Sequence, residues 1–304
     1  MTVSDPVPPS LTECVQQLRT RNAQLLRIVD ALIAVTVEHE AGLALRRETK
    51  QLPEKVMQPL FFLLQAVGAS TNTIVKLSDS VGMHTRDCYP IARSVVETAV
   101  NVCYIMAQGE EMAERAMRHT RQMAYRDMER ESRIGDSIIK IMSSQRPDPL
   151  VEKGLEVELN EFTTKRGGEK NWIDDNIDTR IRVVGEKLGS DVLLHLHFAR
   201  FAVYRHSSEI LHGTVFGAMY FLGLVPSSSG KQGVSGAQES IASQHMSILL
   251  ATLMALYAVV EAFHSSYGFS SAFERAKTVI DSLQEIPYFN EQSSQQSSPS
   301  DHQS

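Results

Sequence analysis

Cysteine is scarce in this chain: Cys14, Cys88 and Cys103 are the whole set, and none forms a C-x-x-C pair. Three thiols cannot all pair within one chain, which argues against a disulfide framework or a cysteine-built zinc site and points to a reducing, cytoplasmic compartment. An excess of positive charge is also missing. Thirty Lys and Arg against 36 Asp and Glu give a formal net charge of −6. That balance offers no global attraction to polyphosphate, and no DNA partner is expected. The apolar runs at 215–225 and 246–260 fall short of the ~20 residues a spanning helix needs, so both read as buried core helices and no membrane span is expected. Residues 1–10 hold three prolines but neither a basic n-region nor an apolar h-region, which does not fit a secretory signal. Sustained alternation of apolar and polar residues is missing as well, and strands are not expected.

What the chain does have is helical periodicity. Ser10-Leu-Thr-Glu13 is a capping-box pattern, and Leu11, Val15, Leu18, Leu25, Ile28, Val29, Leu32 and Ile33 recur at three- and four-residue steps toward Arg46. This predicts a long amphipathic helix that needs a partner to cover its stripe and that can mediate self-association. Pro53 suits the first turn of a second helix, Asp87 and Pro90 open a third that Gly109 closes, and a Met-rich fourth is expected from 110 to about 143. A polar helix over about 150–164, a short one from Asp178 to Leu188 and a long one from Ser190 to about Leu222 follow. Two more are expected over about 238–264 and 271–283. Residues 226–237 and the Ser/Gln-rich tail from Asn290 read as flexible. The fold class is all-α, a helical bundle with a long N-terminal helix. Its organisation is a leader and helix over 1–52, a main domain over 53–286 and a tail over 287–304.

The segment from Tyr204 to Gly213 places ionisable groups in an otherwise apolar helical run. Arg205 and His212 are seven positions apart, which puts them on one helix face roughly 10 Å from each other. This R-x6-H spacing resembles the R-x4-6-H motif of the HEPN superfamily (higher eukaryotes and prokaryotes nucleotide-binding), all-α domains that include many metal-independent ribonucleases; the polar His206 after the arginine is also typical. The resemblance implies a toxin-type endoribonuclease, with bacterial defence as its setting. Its cleft would lie at a homodimer interface, with Arg205 on the scissile phosphate and His212 exchanging protons, and with neither cofactor nor metal. The chemistry is sound on general grounds, because a guanidinium binds phosphate bidentately and an imidazole titrates near neutral pH. A second resemblance rests on Arg93-Ser-Val-Val-Glu97, Asn171-Trp172 and Tyr204-x3-Ser208-x3-His212-Gly213. It looks like the pattern of a bacterial all-helical family known only as a domain of unknown function, over roughly residues 60–265. In that arrangement Arg93 and Glu97 would face Tyr204, Ser208 and His212 across the bundle.

Other readings compete for the same residues. Arg205 and Glu209 can form an i,i+4 ion pair with His212 hydrogen-bonded in the core, making Arg93, Glu97, Tyr204, Arg205 and His212 a structural polar core of a noncatalytic scaffold that binds a helical partner. Glu209-x-x-His212 and Glu261-x-x-His264 are the paired unit of di-iron carboxylate bundles, on consecutive helices. Ser208 and His212 imitate a nucleophile and base, but no G-x-S-x-G elbow accompanies them. Arg115, Arg118, Arg121 and Arg126 form a basic segment, the first candidate to grip RNA backbone if the ribonuclease reading holds.

Overall fold

The computed structural model describes residues 9–49, 52–142, 144, 147–148, 154–225 and 234–286. Eleven α-helices account for most of them: α1 (Pro9–Thr36), α2 (Leu43–Arg46), α3 (Glu54–Leu77), α4 (Thr85–Gln108), α5 (Glu110–Asp127), α6 (Leu155–Glu161), α7 (Ile177–Leu188), α8 (Ser190–Leu211), α9 (Val215–Phe221), α10 (Val234–Tyr267) and α11 (Ser270–Asp281). The all-α class therefore holds. Two short strands, β1 (Glu129–Ile134) and β2 (Ser137–Met142), form an antiparallel hairpin outside the bundle. Of the flexible loop expected over 226–237, residues 226–233 lie outside the described residues, as does the tail from 287, and 234–237 form the first turn of α10 instead.

The core is built around α10, whose Ile248, Leu249, Leu253, Leu256, Val260 and Phe263 are wholly buried. It packs against α8, α4 and α1, and α3 closes the bundle against α1 and α4. An apolar helix surrounded on all sides has no solvated face, which is why α10 reads as hydrophobic all round. Among the described residues two helices, α3 and α10, are long and apolar enough to cross a membrane by composition alone; the α10 window is 83% buried inside the bundle. The expectation for 246–260 stands, and that for 215–225 does not. In the latter segment Val215 is 77% exposed, and Phe216, Met219, Leu222 and Leu224 are exposed beside it.

Three further expectations are corrected. The stripe of α1 is covered by α3, α10 and α11 of the same chain, so its partners are internal and it shares the main core. Asn22, fully buried, fixes the contact by donating from Nδ2 to the Leu18 carbonyl at 2.9 Å and to the Leu249 carbonyl of α10 at 3.0 Å. The helix expected over 110–143 ends at Asp127, and the hairpin replaces its second half. Gly135, at φ +59, occupies the first central position of a two-residue turn, the place a type II′ turn reserves for glycine. The helix expected over 190–222 breaks at Gly213, φ +64. Thr214 then caps α9 by accepting from the Gly217 amide at 3.0 Å, so the chain turns a corner at His212.

Candidate functional site

Helix α8 has three sides with different fates. Val192, Leu196, Ala199, Val203, Ser207 and Ile210 face the core and are buried. Opposite them, Leu194, Phe198, Phe201, Arg205, Ser208 and His212 follow one another at steps of four and three residues, the spacing of a helix–helix seam. That seam is uncovered: Phe201 is 82% exposed, Leu194 and Phe198 are exposed, and Arg205 and His212 are exposed with them. His212 is the C-cap residue with helical φ −79 and ψ −1, so it stays in register with Arg205. Among the described residues neither side chain has an ion-pair or hydrogen-bond partner. Arg205 lies against the ring of Phe216, its Cζ 6.0 Å from the centroid.

The expected Arg205–Glu209 pair does not form. Glu209 instead accepts from the Thr214 hydroxyl at 2.7 Å, which fastens the corner between α8 and α9. Packing at that corner is close, since a Cβ on Gly217 would come within 2.6 Å of the Glu209 carbonyl. His206 turns away from the seam and stacks on Tyr220 of α9 at 3.8 Å, and the Tyr220 hydroxyl meets that of Tyr89 at 3.3 Å. Burial, with Arg205 beside it, lowers the His206 pKa below the ordinary imidazole value. The half-buried Ser208 sits between Arg205 and His212 on the stripe, and its carbonyl accepts from the His212 amide at 3.0 Å.

The third side of α8 meets α4 and α7. Arg93 donates to Glu97 at 2.9 Å and to the Tyr204 hydroxyl at 3.1 Å, with its guanidinium 4.2 Å from the Tyr204 ring centroid. Arg200 lies near the same ring and pairs with Asp178 at 2.6 Å. Arg180 bonds Asn101, and burial pulls its pKa below the usual guanidinium value. The structure therefore brings Arg93, Glu97 and Tyr204 together as expected. It separates them from Arg205 and His212, which lie on the adjoining, solvent-facing side. The polar core is real, but it does not contain the R-x6-H pair.

The basic segment of α5 is engaged internally. Arg118 grips Glu161 with two bonds of 2.9 and 3.1 Å, Arg121 binds Glu158, Arg115 donates to the Trp172 carbonyl at 2.7 Å, and Arg126 donates to Thr163 at 2.8 Å. These contacts hold α5 to α6 and the loop after it. They occupy the guanidinium faces that a phosphate would need, so the basic segment carries no part of the reading below.

Two polar clusters escaped sequence reasoning, although both involve the residues that bracket the apolar run of α10. His245, fully buried, lies 2.8 Å from the Thr85 hydroxyl and 2.7 Å from that of Ser78. Because Ser78 spends its own hydrogen on the Ile74 carbonyl at 2.7 Å, Nε2 of His245 must donate to Ser78, leaving Nδ1 to accept from Thr85. His195 contacts Glu261 through Nδ1 at 3.0 Å, with Tyr257 edge-on to the imidazole at 4.8 Å. The two E-x-x-H pairs do not converge. Glu261 is turned to His195 and Glu209 to Thr214, and among the described residues no three His, Cys, Asp or Glu side chains are placed to hold one metal ion. The di-iron reading loses its geometric basis.

A family model described as a family of unknown function (DUF5677) matches residues 59–231, from α3 through α9. No curated protein and no solved structure matches the chain.

Proposed function

The chain belongs to the DUF5677 family of unknown function, and we propose that the exposed stripe of α8 is a HEPN-like, metal-independent endoribonuclease centre completed by a second copy of the chain. The observation that supports it most is the pairing of Arg205 and His212, both exposed and in register, on a seam whose other half is the exposed Leu194, Phe198 and Phe201. An isolated globular chain gains nothing by leaving such a face in water, and contiguous apolar patches rimmed by polar groups usually mark an interface. Burying the apolar half of α8 against the exposed residues of α9 in a second copy brings two Arg205/His212 sets toward one cleft.

In that cleft Arg205 binds the non-bridging oxygens of a phosphodiester and offsets the charge gathered in the transition state. A neutral His212 takes the proton of the adjacent 2′-hydroxyl as that oxygen bonds to phosphorus. The P–O5′ bond breaks, and a protonated imidazole gives its proton to the leaving 5′-oxygen. The products are a 2′,3′-cyclic phosphate and a 5′-hydroxyl, and atoms and protons balance without a metal. The setting is a cytoplasmic effector of the toxin or defence type, in keeping with three buried, unbridged cysteines.

A noncatalytic helix-binding module is the second reading, favoured by the closed Arg93–Glu97–Tyr204 network and by the same apolar seam. Purified full-length protein incubated with RNA in EDTA separates the two. The ribonuclease cuts, and Arg205→Ala and His212→Ala each reduce cutting by about 100-fold or more with unchanged melting, since both side chains are exposed. Intact RNA under these conditions, with a stable assembly formed through α8, leaves the module and removes the enzyme.

A further inference from the structure

The hairpin β1–β2 is an anomaly in a helical protein. Every residue of β2 is exposed, and in β1 all but the half-buried Glu129 are exposed. A two-stranded hairpin alone in water is marginal at best and becomes stable when a third strand or a packed layer joins it. Its two faces differ. The register Arg130↔Ile141, Ser132↔Ile139 and Ile134↔Ser137 puts Ile134, Ile139 and Ile141 on one side, while the other carries Glu131, Arg133 and Lys140 beside the exposed Ile138 and Met142, with Lys140 paired to Glu129.

The outer edge of β1 has a defined pattern. Ile134↔Ser137 closes the turn as a hydrogen-bonded pair, so alternation along the ladder directs the backbone amides and carbonyls of Glu131 and Arg133 away from β2. The same two residues carry unlike charges, and among the described residues neither has an ion-pair partner. Antiparallel pairing of this edge with an identical edge about a twofold axis on Ser132 sets each Glu131 directly opposite an Arg133. It also joins their outward backbone groups as hydrogen-bonded pairs. Sliding the two edges by one repeat opposes Arg133 to Arg133 in one direction and Glu131 to Glu131 in the other, where Arg133 then faces a Glu129 already held by Lys140.

We propose that β1 is a homotypic docking edge. Two copies of the chain pair β1 to β1 in the register centred on Ser132, merging their hairpins into one four-stranded sheet. The charge complementarity is self-directed, which identifies the occupant as a second copy rather than a strand of another protein. This interface is separate from the α8 seam and does not depend on the ribonuclease reading.

Disulfide trapping of the full-length chain tests it. In the proposed register the two Ser132 residues form a non-hydrogen-bonded pair with Cα atoms about 4.5 Å apart, within disulfide range, and the native cysteines are all buried. Ser132→Cys under mild oxidation is expected to give a covalent dimer on a non-reducing gel at least about tenfold faster than the exposed control Ser265→Cys on α10, because pairing raises the local thiol concentration. Glu131→Arg and Arg133→Glu, each added to Ser132→Cys, are expected to slow trapping by roughly tenfold by placing like charges opposite one another. Combining both reversals restores the opposite pairs and the fast rate. Trapping no faster than the Ser265 control overturns the proposal, and so does failure of the double reversal to recover, since an edge built for a different partner, or charged only to repel neighbours, has no reason to regain self-pairing.

Discussion

His245 shows how a single side chain can tie stability to pH. Burial holds its pKa at about 4 against an ordinary 6.5, with His84 adding in the same direction. Between these values the unfolded chain binds a proton that the folded chain refuses, so stability falls as the pH drops from about 6.5 toward 4 and is level in this respect above 6.5. The contribution at stake is on the order of 3 kcal/mol. Urea unfolding between pH 7.5 and 5 should show this slope in the native chain, and His245→Leu should be less stable at pH 7.5 but lose much of the dependence. In the sequence His245 is only a polar residue beside the apolar run 246–260. Its partners, Ser78 and Thr85, lie 167 and 160 residues away, and no local pattern connects them.

Helices α5 and α6 illustrate how the same residues can be read in opposite ways. Four arginines in a row of turns suggest an RNA-gripping face, yet Arg121 closes over Glu158, which is only 7% exposed. Removing a partner from a largely buried carboxylate leaves a charge with poor solvation, so Arg121→Ala is expected to cost about 1–3 kcal/mol of stability. An electrophoretic shift with RNA should be unmoved by the same change; a lost shift at unchanged melting would return the segment to RNA binding. The corner between α8 and α9 depends on Gly217, where a methyl group would strike the Glu209 backbone at 2.6 Å. Gly217→Ala should push α9 off α8, cost about 1–3 kcal/mol and weaken the stack of His206 on Tyr220, detectable as a change in Tyr and His ring resonances. The hairpin is legible in part: Gly135-Asp136 is a two-residue turn signal ahead of the isoleucine-rich β2, but the Glu- and Arg-rich β1 has no strand character. Met128, Arg130 and Arg133 continue the helical pattern of α5 up to the turn, which hides the first strand.

At the scale of the whole molecule the bundle is one core that includes α1. Removing residues 1–36 uncovers α3, α10 and α11 and takes Asn22 from the Leu249 carbonyl. Residues 37–304 alone are then expected to lose cooperative unfolding and near-ultraviolet circular dichroism while retaining helix and binding a hydrophobic dye. If 53–286 were an independent domain, a sharp transition would survive the truncation. The sequence by itself determined the helical class, the positions of most helices, the pairing of Arg93 with Glu97 and the shared face of Arg205 and His212, because each follows from backbone periodicity within a few turns. Only the tertiary structure decided which stripes are covered. It buried the stripe of α1 and left that of α8 in water, closed the α5 arginines onto carboxylates and brought His245 to Ser78 and Thr85. Solvent exposure and long-range hydrogen bonding depend on which elements meet, and apolar stripes of similar periodicity do not specify their own partners.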